Sequence, residues 1–147
     1  RSSRSHANAQ YPTDAGEAMT AVALLTRVFA ADALGEELAL DATLERGAEL
    51  LAERPPEWSA DGATNDLYYW YYGTYALYQF GGERFERWER ALVRALLPAQ
   101  RTSPPCLVGS WDPDGPWGYS GGRVYSTALG ALCLQVHHRY GRLLGRR

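Results

Sequence analysis

The sequence predicts an all-α protein built from partial α/α-toroid-like helical hairpin repeats, about five helices in all. Three observations carry that prediction. Strand signals are poor, with little period-2 alternation and few β-branched residues outside helical runs. Helical segments alternate between apolar and amphipathic along the chain. The apolar ones begin near residues 17, 67 and 124, a loose period of about 50 residues. That is the spacing of stacked hairpins, each with a buried inner helix and a half-exposed outer one.

The first helix is expected over roughly residues 16–31, where EAMTAVALLTRVFAA is apolar almost all round and therefore predicted to be buried. The second is expected over about residues 40–53. Leu40, Leu44, Ala48 and Leu51 form one stripe, with Asp41, Glu45 and Glu49 opposite. Pro55-Pro56 stops it, because proline lacks an amide hydrogen and disfavours helix before it. A turn-rich loop, Glu57 to Asn65, leads to Asp66, a fitting N-cap.

The third helix is the most telling part of the chain. The stretch DLYYWYYGTYALYQFGG (66–82) holds six of the ten tyrosines and one of the five tryptophans. A helix this aromatic has to bury most of its circumference. Gly73 inside it costs ~1 kcal/mol relative to alanine and implies close approach by a neighbouring helix. Gly81-Gly82 ends it, since glycine tolerates the left-handed conformation at a helix C-terminus. The fourth helix is expected over about residues 83–97, with Phe85, Trp88, Leu92 and Leu96 as the apolar stripe, a wet face of Arg and Glu, and Pro98 as its stop. A Pro-, Gly-, Asp- and Trp-rich loop then runs from Gln100 to Gly122, and a fifth helix from about residue 124 to 140 echoes the third. Residues 1–14 read as an extended or disordered arm, 15–141 as the domain and 142–147 as a basic tail.

Composition bounds the function. At 147 residues and 46% hydrophobic, the chain is large enough for a single domain with a real core. A net charge of -2 gives no footprint for nucleic acid, and the arginines near the two ends make only a weak patch. No apolar run is long enough for a transmembrane segment, and the start RSSRSHANAQ has no apolar core of a signal peptide. Lysine and isoleucine are absent, a sign of genomic codon bias that also excludes Schiff-base and phosphate-loop lysines. Two cysteines, Cys106 and Cys133, make no disulfide framework, and a reducing, cytoplasmic setting is expected.

The segments YYWYYGTYALYQFGG, GSWDP and GRVYSTALGALCL, separated by the fourth helix and its loop, are similar to the closing repeats of the prenyltransferase/squalene-oxidase-repeat family. Gln100 followed by Gly109-Ser110-Trp111 resembles a stretched form of that family's Gln-Trp repeat motif. The resemblance covers about residues 15–141 and implies a partial α/α-toroid, of the kind found in terpene cyclases and protein prenyltransferase β subunits. A partial toroid exposes the apolar edge of its inner layer, so the chain is expected to belong to a larger protein or to self-associate.

Cyclases use an Asp-x-Asp-Asp cluster as proton donor. Asp112-Pro113-Asp114-Gly115 is the nearest match, lacks the last Asp, and reads first as a β-turn. Prenyltransferases hold zinc with Asp, Cys and His, for which Asp112, Cys133 and His137 are the candidates here. Cys133 equally suits a buried apolar position, and His137 a helix C-terminus. Asp112 and Asp114 match no 12-residue calcium loop, and Ser110 lacks a nucleophile elbow.

The expectation is therefore a non-catalytic binding or scaffold domain without a cofactor. Its candidate contact residues are Tyr68, Tyr69, Tyr72 and Tyr75 on the aromatic helix, with Trp111, Trp117, Tyr119, Arg123 and Tyr125 from the loop and fifth helix. The expected partner is the remainder of its own polypeptide, another protein subunit or a second copy. The alternative is a portion of a terpene cyclase or prenyltransferase-like enzyme, or a domain that holds an isoprenoid lipid in an aromatic cavity.

Overall fold

A computed structural model describes residues 17–144. Among them are five α-helices and no strand: α1 (Ala18–Leu34), α2 (Ala42–Ala52), α3 (Leu67–Phe80), α4 (Gly82–Ala99) and α5 (Gly118–Arg139), with a single 3-10 turn at Pro105–Leu107. The all-α class stands.

Local chemistry sets the ends. α1 stops at Gly35, in the left-handed region at φ 66°, and the Glu36 N–H closes on Ala31 O at 2.8 Å. Asp41 caps α2 by accepting from the Leu44 N–H at 2.8 Å, and Asp66 caps α3 by accepting from the Tyr69 N–H at 3.1 Å. Gly81, at φ 68°, alone joins α3 to α4. Only glycine turns a chain this sharply without a Cβ penalty.

The helices form two rows. α3 is central and touches every other helix; α1 and α5 flank it without meeting. α2 and α4 lie side by side across this inner row, α2 against α1 and α3, α4 against α3 and α5. The apolar segments thus make the inner row and the amphipathic ones the outer row.

Trp88 of α4 is the pivot between the rows, 1% exposed. Its indole N–H donates to Thr74 Oγ1 at 2.8 Å, and that hydroxyl donates in turn to Trp70 O at 2.6 Å. A Cβ on Gly73 would come within 2.7 Å of the Trp88 ring, which is why that position is glycine. Phe85, Leu92 and Leu96 complete the predicted stripe and are all buried.

Three expectations are corrected. α1 is buried on one face only; as the end of the inner row it leaves Met19, Phe29 and Leu34 exposed. Leu40 lies before α2 and is exposed, so it is not part of the stripe. α4 continues through Pro98, which sits in its last turn and forfeits a single intrahelical bond there. A break at Gly122 (φ 60°, ψ -166°), which the glycine pair permits, divides α5 into a short first turn from Gly118 and the long helix expected from about residue 124. The expected N-terminal arm lies outside the described residues. At the other end, Arg142 and Leu143 pack onto α3, so the fold runs past the expected boundary at 141.

Candidate functional site

On the side of α3 opposite Gly73, Thr74 and Leu77, the helical period brings Tyr68, Tyr71, Tyr72 and Tyr75 together. All four are half-buried. Their rings form a continuous aromatic face: Tyr68 and Tyr72 are 4.7 Å apart between centroids, Tyr71 and Tyr72 5.2 Å, and Tyr75 meets Phe29 of α1 edge-on at 5.4 Å.

The C-terminal half of this face is covered by the segment that follows α5. Tyr140 stacks on Tyr75 at 4.2 Å, and its hydroxyl lies 2.9 Å from that of Tyr71. Buried Gln79 clamps the backbone beyond it, donating to Gly141 O at 3.2 Å and accepting from the Leu143 N–H at 2.7 Å. The Arg142 guanidinium sits 4.9 Å from the Tyr78 ring centroid. Burial, reinforced by the bond to Tyr140, pushes the Tyr71 phenol well above its ordinary range; burial likewise raises Tyr75. These phenols stay neutral, serving as apolar area and hydrogen-bonding groups rather than as bases.

The N-terminal half of the face meets the start of α5. The Trp117 ring lies 6.0 Å from Tyr68. Beyond it, Tyr119 is 89% and Val124 83% exposed, and Tyr125 is half-buried. Tyr68, Tyr72 and Trp117 are therefore brought together, with Tyr119 beside them in sequence and open to solvent.

Two candidate contact residues lie elsewhere. Tyr69 is buried and donates its hydroxyl to Arg54 O at 3.0 Å, satisfying a carbonyl just past the end of α2. Trp111 is 2% exposed; its indole N–H donates to Leu96 O at 2.8 Å, and its ring fills the space over Gly130. Both are corrected from contact residues to core, because a ring sealed inside the fold offers no surface to a partner.

Asp112 is held between two guanidiniums, Arg101 on one oxygen and Arg123 on the other. Arg101 above all, with help from Arg123, keeps its carboxyl below the usual carboxylate range. It is ionised at neutral pH and has no proton to give an alkene. Arg123 also donates to Ser110 Oγ at 3.1 Å, so this candidate contact residue braces the loop. Cys133 is wholly buried, which pushes its thiol up, and His137 Nδ1 lies 3.1 Å from Glu89 Oε1. Among the described residues, no three His, Cys, Asp or Glu side chains converge as a metal site.

The loop between Gln100 and Trp111 is closed at its base. The Arg101 N–H donates to Ser110 O and the Gly109 N–H to Arg101 O, each at 2.8 Å, while Gln100 Nε2 donates to Gly109 O at 2.9 Å. Residues 102–108 thus form a side excursion, and Gln100 abuts Gly109-Ser110-Trp111.

No family model, curated protein or solved structure matches this chain. Its own geometry has to carry the functional conclusion.

Sequence reasoning missed Tyr140, Gln79 and Arg101. A repeat also went unread: Trp58-x-x-Asp61-Gly62 recurs as Trp111-x-x-Asp114-Gly115, one hairpin later. The two turns press on each other, for a Cβ on Gly62 would lie 2.0 Å from Asp114 O and one on Gly115 2.0 Å from Asn65 O. Arg101 is held beside this junction by its ion pair with Asp112.

Proposed function

We propose that this chain is a non-catalytic, α/α-toroid-like binding domain of a larger protein or assembly. Its contact surface is the N-terminal half of the aromatic face together with the start of α5, and its partner is another protein surface. The observation that carries this is the Trp117 ring 6.0 Å from Tyr68 at the start of α5, the segment on which Tyr119 and Val124 are exposed. Tyrosine and tryptophan combine apolar area with hydrogen-bonding tips at low entropy cost, which suits protein interfaces. The two rows of helices are compatible with a helical-hairpin repeat, and the closed base of the Gln100–Trp111 loop brings Gln100 to the Gly109 carbonyl. The double clamp on Asp112 and the neutral phenols of α3 speak for binding rather than acid–base chemistry. Unpaired Cys106 and Cys133 suit a reducing compartment. No helix among the described residues is long and apolar enough to cross a membrane.

Native mass spectrometry of the purified chain tests this directly. A dimer, or a complex with a co-purified protein, is the expected result. A bare monomer carrying an apolar adduct of small-molecule mass would replace the protein partner with an isoprenoid-type ligand on the same face.

A further inference from the structure

The inner row has two open ends. α3, in the middle, has an inner helix on either side; α1 and α5 each have one such neighbour and lack the other. Exposed apolar side chains gather at both ends. On α1, Met19 is 65% and Leu34 70% exposed, and at the other end Tyr119 and Val124 project from the start of α5. Between the large side chains the outward faces are narrow. Ala23 and Ala30 follow Met19 at helical spacing on the side of α1 opposite buried Leu24, Leu25 and Val28. Ala128 follows Val124 on the side of α5 opposite Gly130 and Cys133. Small side chains at a helix contact let the two axes come close.

The three inner helices run in the same direction. Trp117, just before α5, lies by Tyr68 at the start of α3, and Tyr140, just after α5, stacks on Tyr75 further along α3. Phe29, in the second half of α1, meets the same Tyr75. Glu17, at the start of α1, pairs with Arg54, whose carbonyl accepts from Tyr69 near the start of α3. The C-terminal ends of α1 and α5 therefore lie level, on either side of Tyr75. Their charges are opposite: exposed Asp32, Glu36 and Glu37 close α1, and exposed His138 and Arg139 close α5.

We infer that a second copy of this chain docks here head to tail. The outward face of α1 in one copy lies parallel to the outward face of α5 in the next, and the inner row continues across the two molecules. In this arrangement Met19 is level with the exposed start of α5, and the acidic end of α1 meets the basic end of α5, which gives the contact its register. Two α1 faces, or two α5 faces, offer no such pairing of acidic with basic ends. Because unlike faces meet, every copy keeps one face for a further copy, and the assembly either extends as an open row or closes into a ring. This inference rests on the preceding reading for the start of α5 as a contact surface, names the partner, and adds α1 as the other half of the contact.

The test is sedimentation velocity of the whole chain over about a hundredfold range of concentration, wide enough to move a mass-action equilibrium. The unsubstituted chain should associate as concentration rises, to one fixed size for a ring or through a continuing series for an open row. Met19→Asp and Val124→Asp each alter an exposed side chain and should leave the far-UV spectrum unchanged. Each should weaken association at least about tenfold, because the new carboxylate is desolvated without a partner. Mixing the two variants tests the geometry. The intact α5 face of Met19→Asp and the intact α1 face of Val124→Asp should together restore a one-to-one heterodimer and nothing larger. Loss of association in only one of the variants, or a mixture without heterodimer, would overturn the head-to-tail contact. So would an unsubstituted chain that stays monomeric throughout; if native mass spectrometry then finds it bound to a different protein, the preceding reading stands while this one falls, and a bare monomer removes both.

Discussion

Trp88→Ala is expected to lower the free energy of unfolding by about 3–5 kcal/mol, the range for deleting a large aromatic from a packed core. Trp88 joins the two rows. Its ring lies over Gly73, meets Tyr69 edge-on at 5.5 Å, and its N–H satisfies the Thr74 hydroxyl, which is tied to Trp70 O. Alanine would leave a cavity at the centre of the fold and orphan a buried hydroxyl interaction. Chemical denaturation followed by far-UV circular dichroism would measure the loss. A shift below about 1 kcal/mol, the scale of a surface substitution, would mean that α4 is not seated on α3 in this way.

Trp111→Ala is expected to be nearly as costly, again about 3–5 kcal/mol. This substitution separates two roles for the same residue. A contact tryptophan on the surface would cost little stability when truncated. The observed Trp111 fills the space above Gly130 of α5 and donates to Leu96 O near the end of α4. Its loss should therefore loosen α5 from α4, and it should do so in the isolated chain. Unfolding at unchanged denaturant concentration would return Trp111 to the list of surface residues.

The two rows were legible because burial leaves a periodic trace. Phe85, Trp88, Leu92 and Leu96 recur at helical spacing against an Arg/Glu face, and that pattern alone identifies an outer helix. The caps at Asp66 and Gly81 were legible for the same local reason. The candidate site was harder to read. Eight aromatics crowded onto α3 give no contrast between faces, so Tyr69 could not be told from Tyr68 without the neighbours that bury one and leave the other half-buried. The short turn from Gly118 was hidden by Gly118, Gly121 and Gly122, glycines that read as loop, and the last of them does break the helix. The clamp of Gln79 on Leu143 joins residues 64 apart in sequence and has no local signature. Pro113-Asp114-Gly115 read as a turn, but nothing in that signal says that Asp112 is held between Arg101 and Arg123.

The decisive measurement for the binding face is site-specific photo-crosslinking in cells. A benzophenone side chain at position 119, beside Trp117, is compared with one at position 87 on the exposed outer side of α4. Both substitutions lie on open surface and should leave the fold intact. A discrete protein adduct from position 119, absent from position 87, is the expected result. Equal labelling from the two positions, or no protein adduct from 119, would contradict a dedicated contact surface at the start of α5.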